Sequence, residues 1–362
     1  MTTEISFSKH SQITEIRHEW EVLDRMAAEN GIKYAAYSFY QTYIWNRFLY
    51  EHIRGKMLKR LTTRLVYILM RRDSKPFAIL PLSVTRSSGK VRFPSCWVAG
   101  ILNASIPYSP SGEAEYRREI NALREYLDDN FSGCHLSLAD VPQHTLFAGL
   151  MKDMDGGDFT ERTSYHVPLE SFNNVDEYIG SLSKNIYKNI RKAYNHLKTD
   201  GRKMELKVYT RDNLPDNGYL YKLWRMYFIR KLAWNEKHTG VINMLVARIK
   251  AMLEVNGGCA TQSLRKLEES RLYVLEIDSC PAAFMIVYIH QRHLLMPRLA
   301  IDIDFGRYSP GIIMLLEAVK LWLDEGFVDF DMCRGDERYK TDVGGVNEPL
   351  CRIEREINQA SY

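Results

Sequence analysis

Four carboxylates stand in two Asp-x-Asp triplets, Asp302 and Asp304 in "AIDIDFG" and Asp329 and Asp331 in "VDFDM". Alternate residues of a strand share a face, so each triplet sets two carboxylates side by side. Mutual repulsion then holds a proton on one of them to higher pH, which suits a general base. If the two strands are neighbours, the four groups line an acidic floor that would welcome a cationic acceptor. Directly after the first triplet comes "RYSPG", Arg307 to Gly311. Ser309 has the chemistry of a helix N-cap, Pro310 suits the first helical position, and Gly311 puts no side chain over the helix mouth. Ile312 follows where a capping box would need Glu or Gln, and the next acid is Glu317. Such a helix start keeps free N–H groups and a positive dipole end, which is a site for an anion, with Arg307 on its rim.

The elements that must carry these groups are legible from hydrophobic period. Leu299, Ile301 and Ile303 alternate with Ala300, Asp302 and Asp304, which predicts a strand; Ile312, Leu315, Leu316, Val319 and Leu323 recur at helical spacing. A repeat is also visible. "RLVYILMRRDSKPFAILPL" from Arg64 is similar to "RLYVLEIDSCPAAFMIVY" from Arg271, and both predict a β-hairpin turning on Asp-Ser. "YSPSGEAEYRREINALREYLDDNF" from Tyr108 is similar to "YSPGIIMLLEAVKLWLDEGF" from Tyr308. The copies lie about two hundred residues apart in the same order, the mark of a duplicated unit. In the first copy Ser111 replaces the glycine, and Glu113, Glu115 and Glu119 load the first turns, so the anion site is expected in the second copy alone. Between the copies, Leu182, Ile186, Ile190, Ala193 and Leu197 form the apolar stripe of a helix whose other faces carry Lys184, Lys188, Arg191, Lys192 and Lys198. Helices are also expected over about 219–231 and 241–255, followed by a loop at "NGGCATQS".

Composition sets the outer bounds. The chain has 362 residues, enough for two domains, with a net charge of +4, too mild to indicate a DNA-binding protein. Its six cysteines are scattered with neither C-x-x-C nor paired histidines, which indicates no metal site and a reducing, cytoplasmic home. No apolar run reaches membrane-spanning length and no signal peptide is visible, so no integral membrane segment is expected.

Taken together, "SLSKNIYKNIRKA", "FAILPL", "CPAAFMIVY", "RYSPGIIML" and "DFDMCRGDERYK" resemble the CelD-like family of GNAT acetyltransferases, proteins associated with cellulose and exopolysaccharide and related in fold to the Fem peptidyltransferases. The resemblance implies an α/β (α+β) fold of two tandem GNAT-like domains, each a mixed central sheet flanked by helices. A degenerate domain would span 1–165, and the acyltransferase domain, with its basic helix over 182–200, would span 166–362. It also implies acetyl-CoA as co-substrate, its pyrophosphate on Arg307, Tyr308, Ser309, Pro310, Gly311 and Ile312. The family's loop, Arg or Gln, two residues, Gly, one residue, then Gly or Ala, is met only in part: Arg307 stands four before Gly311, and Ile312 and Ile313 follow it. Asp302 and Asp304 are the candidate bases, and Tyr339 and Lys340 match the family's Tyr-Lys pair, for acceptor binding, negative-charge stabilisation or thiolate protonation. Asp331, Arg334 and Asp336 are the candidate acceptor-binding residues. The acceptor would be an amine or hydroxyl on a small molecule, glycan or peptide. Two alternatives stay open: a Fem-like transferase drawing its donor from charged tRNA, and a catalytically silent binding or resistance factor.

Overall fold

In a computed structural model, residues 4–29, 39–94, 113–143, 148, 157–232 and 240–357 are described. They form two compact units, one of Met1–Ser164 with Asn347–Tyr362 and the other of Tyr165–Val346.

The first unit holds strands β1 (Ile5–His10), β2 (Thr63–Arg72), β3 (Lys75–Thr85), β4 (Lys90–Arg92), β5 (His135–Pro142) and, from the C-terminal end of the chain, β12 (Val346–Glu356). They lie in the order β1-β2-β3-β4-β5-β12. Helices α1 (Arg17–Glu29), α2 (Tyr43–Arg54), α3 (Met57–Thr62) and α4 (Glu113–Asn130) accompany this sheet. One core gathers Ile68, Leu80, Leu82, Ile120, Leu123 and Leu138 with Cys351, Ile353 and Ile357 from the returning strand. Glu119, expected to complement a helix dipole, is instead fully buried and receives Nε of Arg72 at 2.6 Å. The first Tyr-Ser-Pro copy, Tyr108 to Ser111, lies outside the described residues.

The second unit begins within β6 (Gly157–Val167) and continues through α5 (Val175–Ser181), α6 (Lys184–Thr199), β7 (Met204–Tyr209), α7 (Asn217–Leu232), α8 (Val241–Gly257) and α9 (Cys259–Lys266). Then come β8 (Ser270–Ile277), β9 (Cys280–His290), β10 (His293–Ile301), α10 (Pro310–Asp324), β11 (Asp329–Arg334) and α11 (Arg338–Asp342). Its sheet runs β6-β11-β10-β9-β8-β7. The stripe read from α6 is buried as Ile186, Ile190, Ala193 and Leu197, capped by Ser183, whose hydroxyl accepts from the Ile186 amide at 3.3 Å. Trp322 of α10 is fully buried, donating Nε1 to the Tyr273 hydroxyl at 2.8 Å. The loop expected at "NGGCATQS" is the helix α9. The Glu254 carboxylate reaches forward to accept from the amides of Ala260 and Thr261 at 3.1 and 3.2 Å, supplying the cap that the local sequence lacks.

The two units repeat each other at atomic detail. Asp73-Ser74 and Asp278-Ser279 both turn their hairpins with positive φ, at 46° and 66° and at 50° and 64°. Both central residues left-handed is the turn that matches strand twist. Each hairpin then shifts register at the same place, pairing Arg71 with Pro76 in one and Glu276 with Pro281 in the other. Asp73 accepts the Glu4 amide and Asp278 the Lys203 amide, each at 2.9 Å, tying a third strand to each turn. In both units a parallel strand follows, β5 beside β4 and β11 beside β10.

Candidate active site

β10 and β11 run parallel for only three pairs, His293–Asp329, Leu294–Phe330 and Leu295–Asp331. Beyond them β10 continues to Ile301 along β9, after a bulge between Leu295 and Arg298 that contains Pro297. β11 instead ends by Cys333, a buried residue at φ 59°, and Gly335 at φ 129°. A buried non-glycine residue in the left-handed region is costly and clusters at functional sites. The two strands therefore part at Asp331, and among the described residues no strand pairs with β10 on that side beyond Leu295.

Registered pairs share a face, so the alternation assigns sides. Phe330 and Leu294 belong to the core under α10. Asp329, Asp331, His293 and His290 face the other way, where Arg298 lies over the Tyr227 ring of α7 at 5.6 Å. Asp331 sits at the fork of the strands with Oδ1 accepting the Cys333 amide at 2.5 Å, the bond that makes the chain reverse. Burial pushes its carboxyl up to about 7; Asp329 adds to the rise, while the Cys333 amide, His166 and Lys340 act against it. Asp329 is buried and meets Nδ1 of His166 at 2.6 Å. Burial also pushes His290 down to about 4, helped by His293 across the strand pair, so that imidazole is neutral at pH 7.

The expected acidic floor of four is thereby divided. Asp329 and Asp331 do share a face, but Asp302 lies seven residues beyond the last β10–β11 pair, which is roughly 20 Å along an extended strand. The strand predicted to reach Asp304 stops at Ile301, and a 3-10 turn covers Ile303–Tyr308. Asp302 caps that turn, accepting the Asp304 amide at 3.0 Å, and Asp304 is exposed.

The helix mouth also departs from its sequence pattern. Ser309 is left-handed, at φ 47°, and its hydroxyl caps nothing; its carbonyl takes the amides of Ile312 and Ile313, each at 3.1 Å. The 3-10 turn supplies the chain reversal that a side-chain cap was expected to mark, so the mouth offers fewer free amides than predicted. Gly311 is required by packing: a Cβ there would meet Cγ2 of Ile301 at 2.9 Å. Pro310 opens α10, Tyr308 is buried and donates to Oδ2 of Asp200 at 2.9 Å, and Nε of Arg307 pairs with the same carboxylate at 3.0 Å. Arg307 nevertheless remains 56% exposed, so it can meet a ligand from that position.

Arg334, the last residue of β11, is half-buried, and Asp336 beyond it is exposed. Lys340, expected to present a charge to a ligand, is 2% exposed and spends its ammonium on the carbonyls of Cys333 and Arg334, each at 2.9 Å, and of Gly335 at 3.3 Å, with Glu337 at 3.0 Å. It holds the reversal rather than a substrate. Tyr339 packs against the same core, and burial pushes its phenol up, so it keeps its proton. The groups missed by sequence reasoning are His166, His293 and Cys333. His166 is 163 positions from Asp329, and no local pattern links such a pair. The conformation of Cys333 follows from the Asp331 bond.

Residues 184–341 match the family model of the acetyltransferase (GNAT) domain. Among solved structures, the chain is similar to FemX, with a TM-score of 0.58 at 10% identity over 99% of this chain and 98% of that one. It is similar to the C-terminal domain of a putative lysylphosphatidylglycerol synthetase from Agrobacterium fabrum, with a TM-score of 0.52 at 10% identity over 87% and 91%. It is also similar to a tandem GNAT protein from the clavulanic acid biosynthesis pathway, with a TM-score of 0.50 at 12% identity over 98% and 99%. Likeness at such identities is one of fold. No curated protein sequence matches the chain.

Proposed function

We propose, from a tandem GNAT fold whose second unit carries the acetyltransferase-domain match, that this chain is an acyltransferase. It would move an acetyl group from acetyl-CoA to an amine or hydroxyl of a cell-envelope or polysaccharide-related acceptor. The observation that carries the reading is the fork of β10 and β11, with a half-buried carboxyl of raised pKa at its apex.

The open edge of β10 suits an extended, amide-bearing arm such as pantetheine, laid along the strand as a further β-partner. Gly311 allows α10 to approach Ile301 closely, and exposed Arg307 suits a phosphate. A bound acyl thioester would supply an electrophilic carbonyl and a thiolate leaving group. Asp331 is the base: a carboxylate that ionises near 7 takes the acceptor's proton without being locked in either form. Its bond from the Cys333 amide fixes which oxygen is free to do so. Tyr339, protonated and adjacent in sequence to the anchor Lys340, is the proposed donor to the departing thiolate. Asp302 and Asp304 lie away from the fork and have no part in this assignment.

The Fem-like alternative keeps the same base but draws its donor from charged tRNA. The exposed cations of α6 and the scarcity of free amides at the mouth of α10 favour it. Calorimetric titration with acetyl-CoA, CoA and an aminoacyl-tRNA separates the two. Acetyl-CoA binding with a micromolar Kd, retained in Asp331→Asn but weakened about tenfold in Arg307→Glu, is the expected result. Binding of tRNA without acetyl-CoA would transfer the assignment to the Fem-like reaction, and binding of neither would remove both.

A further inference from the structure

We propose that this chain docks on an anionic lipid surface through the exposed face of α8. The inference is independent of the acyl donor.

The helix α8 is packed the wrong way round for a helix that has finished burying itself. Its buried stripe is made of small residues, Ala247, Ala251 and Val255, at the i, i+4, i+8 spacing of one face. Its large apolar residues point outward. Val241 is 84% exposed, Ile242 78% and Leu253 62%, with Leu245, Ile249 and Met252 exposed between them. At 100° per residue these six fall within one arc of about 120°. Single exposed apolar side chains are ordinary, but a contiguous face of large ones marks something to be covered.

Charge decides what covers it. Helices α7 and α8 carry Lys222, Arg225, Arg230, Lys231, Arg248 and Lys250 against one acid, Glu254. That carboxylate is already engaged with the amides that open α9. Lys222, Arg225, Lys231, Arg248 and Lys250 are exposed. A second copy meeting this face about a two-fold axis would bring like cations together. An apolar face set among cations is complementary instead to a bilayer with anionic headgroups, where each Lys or Arg near the surface adds attraction. No helix among the described residues is long and apolar enough to cross a membrane, so contact would be peripheral.

Cosedimentation of the full chain with vesicles of phosphatidylglycerol and phosphatidylcholine, against vesicles of phosphatidylcholine alone, tests this. The expected result is at least about tenfold stronger binding to the anionic vesicles, lost as salt is raised. The double change Leu245→Glu with Ile249→Glu should abolish it while lowering the thermal midpoint only slightly, because both residues are already about half exposed, at 57% and 47%. Arg248→Glu with Lys250→Glu should weaken binding and flatten its salt dependence. Equal binding to both vesicle types, or binding unaffected by the two glutamates, overturns the proposal. So does a concentration-dependent dimer that the glutamates dissociate, which would give the face to a second copy.

Discussion

Asp331 has a folded-state pKa of about 7 against 3.8 for the free side chain. A raised folded pKa means that the folded state binds the proton more tightly than the unfolded state does. Its contribution to stability is complete below about pH 4 and is lost as pH rises toward 7. Asp331→Asn, which keeps an acceptor for the Cys333 amide but cannot ionise, should therefore match the parent chain in acid. It should exceed the parent in thermal midpoint above pH 7, with the gap opening between those limits. If Asp331 is the base, parent activity rises with pH through about 7, and the asparagine variant loses about 100-fold or more. A variant no more stable at pH 8 than at pH 4, relative to parent, would show that the carboxyl is hydrated. Lys340 makes the contrasting case. Lys340→Met leaves three carbonyls without their donor and should cost about 3 kcal/mol in denaturant unfolding. Tyr339→Phe removes only a hydroxyl: turnover should fall by about 100-fold while the Kd for acetyl-CoA holds. A fall in affinity instead would make Tyr339 a binding residue.

At the scale of elements, the junction from β10 to α10 is where cap chemistry and packing compete. Ser-Pro-Gly predicts a capped helix with an open mouth, yet the chain spends the preceding residues on a 3-10 turn anchored by Tyr308 and Arg307 on Asp200. The glycine serves the approach of the helix to Ile301. Gly311→Ala should therefore destabilise the second unit by about 1–3 kcal/mol through overpacking, read by chemical denaturation. Ile301→Ala, which removes Cγ2, should recover part of the Gly311→Ala loss in a double-mutant cycle. No recovery would place the cost in the backbone. The basic side of α6 follows its period faithfully, because a helix with four buried apolar residues on one stripe has no choice about what it exposes.

At the scale of the whole molecule, the last strand belongs with the first unit. β12 pairs antiparallel with β5 over Leu350–Glu356, Arg355 holds Asp128 through both carboxylate oxygens at 2.6 and 2.7 Å, and Cys351, Ile353 and Ile357 enter the first core. Deleting 347–362 should thus loosen β5 and its core, with new proteolytic cuts and a lowered thermal midpoint in Met1–Ser164, rather than in the adjoining unit. Cuts confined to residues after Tyr165 would contradict that expectation.

What the sequence by itself determined is what local period and turn chemistry encode. The duplicated hairpins were readable because Asp-Ser between two apolar runs names both a turn and two strands, and the α6 stripe because burial repeats every three to four residues. The repeat gave a duplicated unit, and the resemblance of its motifs to GNAT acetyltransferases implied the mixed α/β class and the tandem domains. Tertiary structure alone decided which carboxylate is special. Asp302, Asp304, Asp329 and Asp331 are indistinguishable as Asp-x-Asp, but only β11 is enclosed between β6 and β10 and ends in a buried reversal. Desolvation depends on everything packed around a group, and those neighbours come from positions as remote as His166 and Lys340. The same holds for α8, where packing buries only Ala247, Ala251 and Val255 and leaves the large apolar residues exposed.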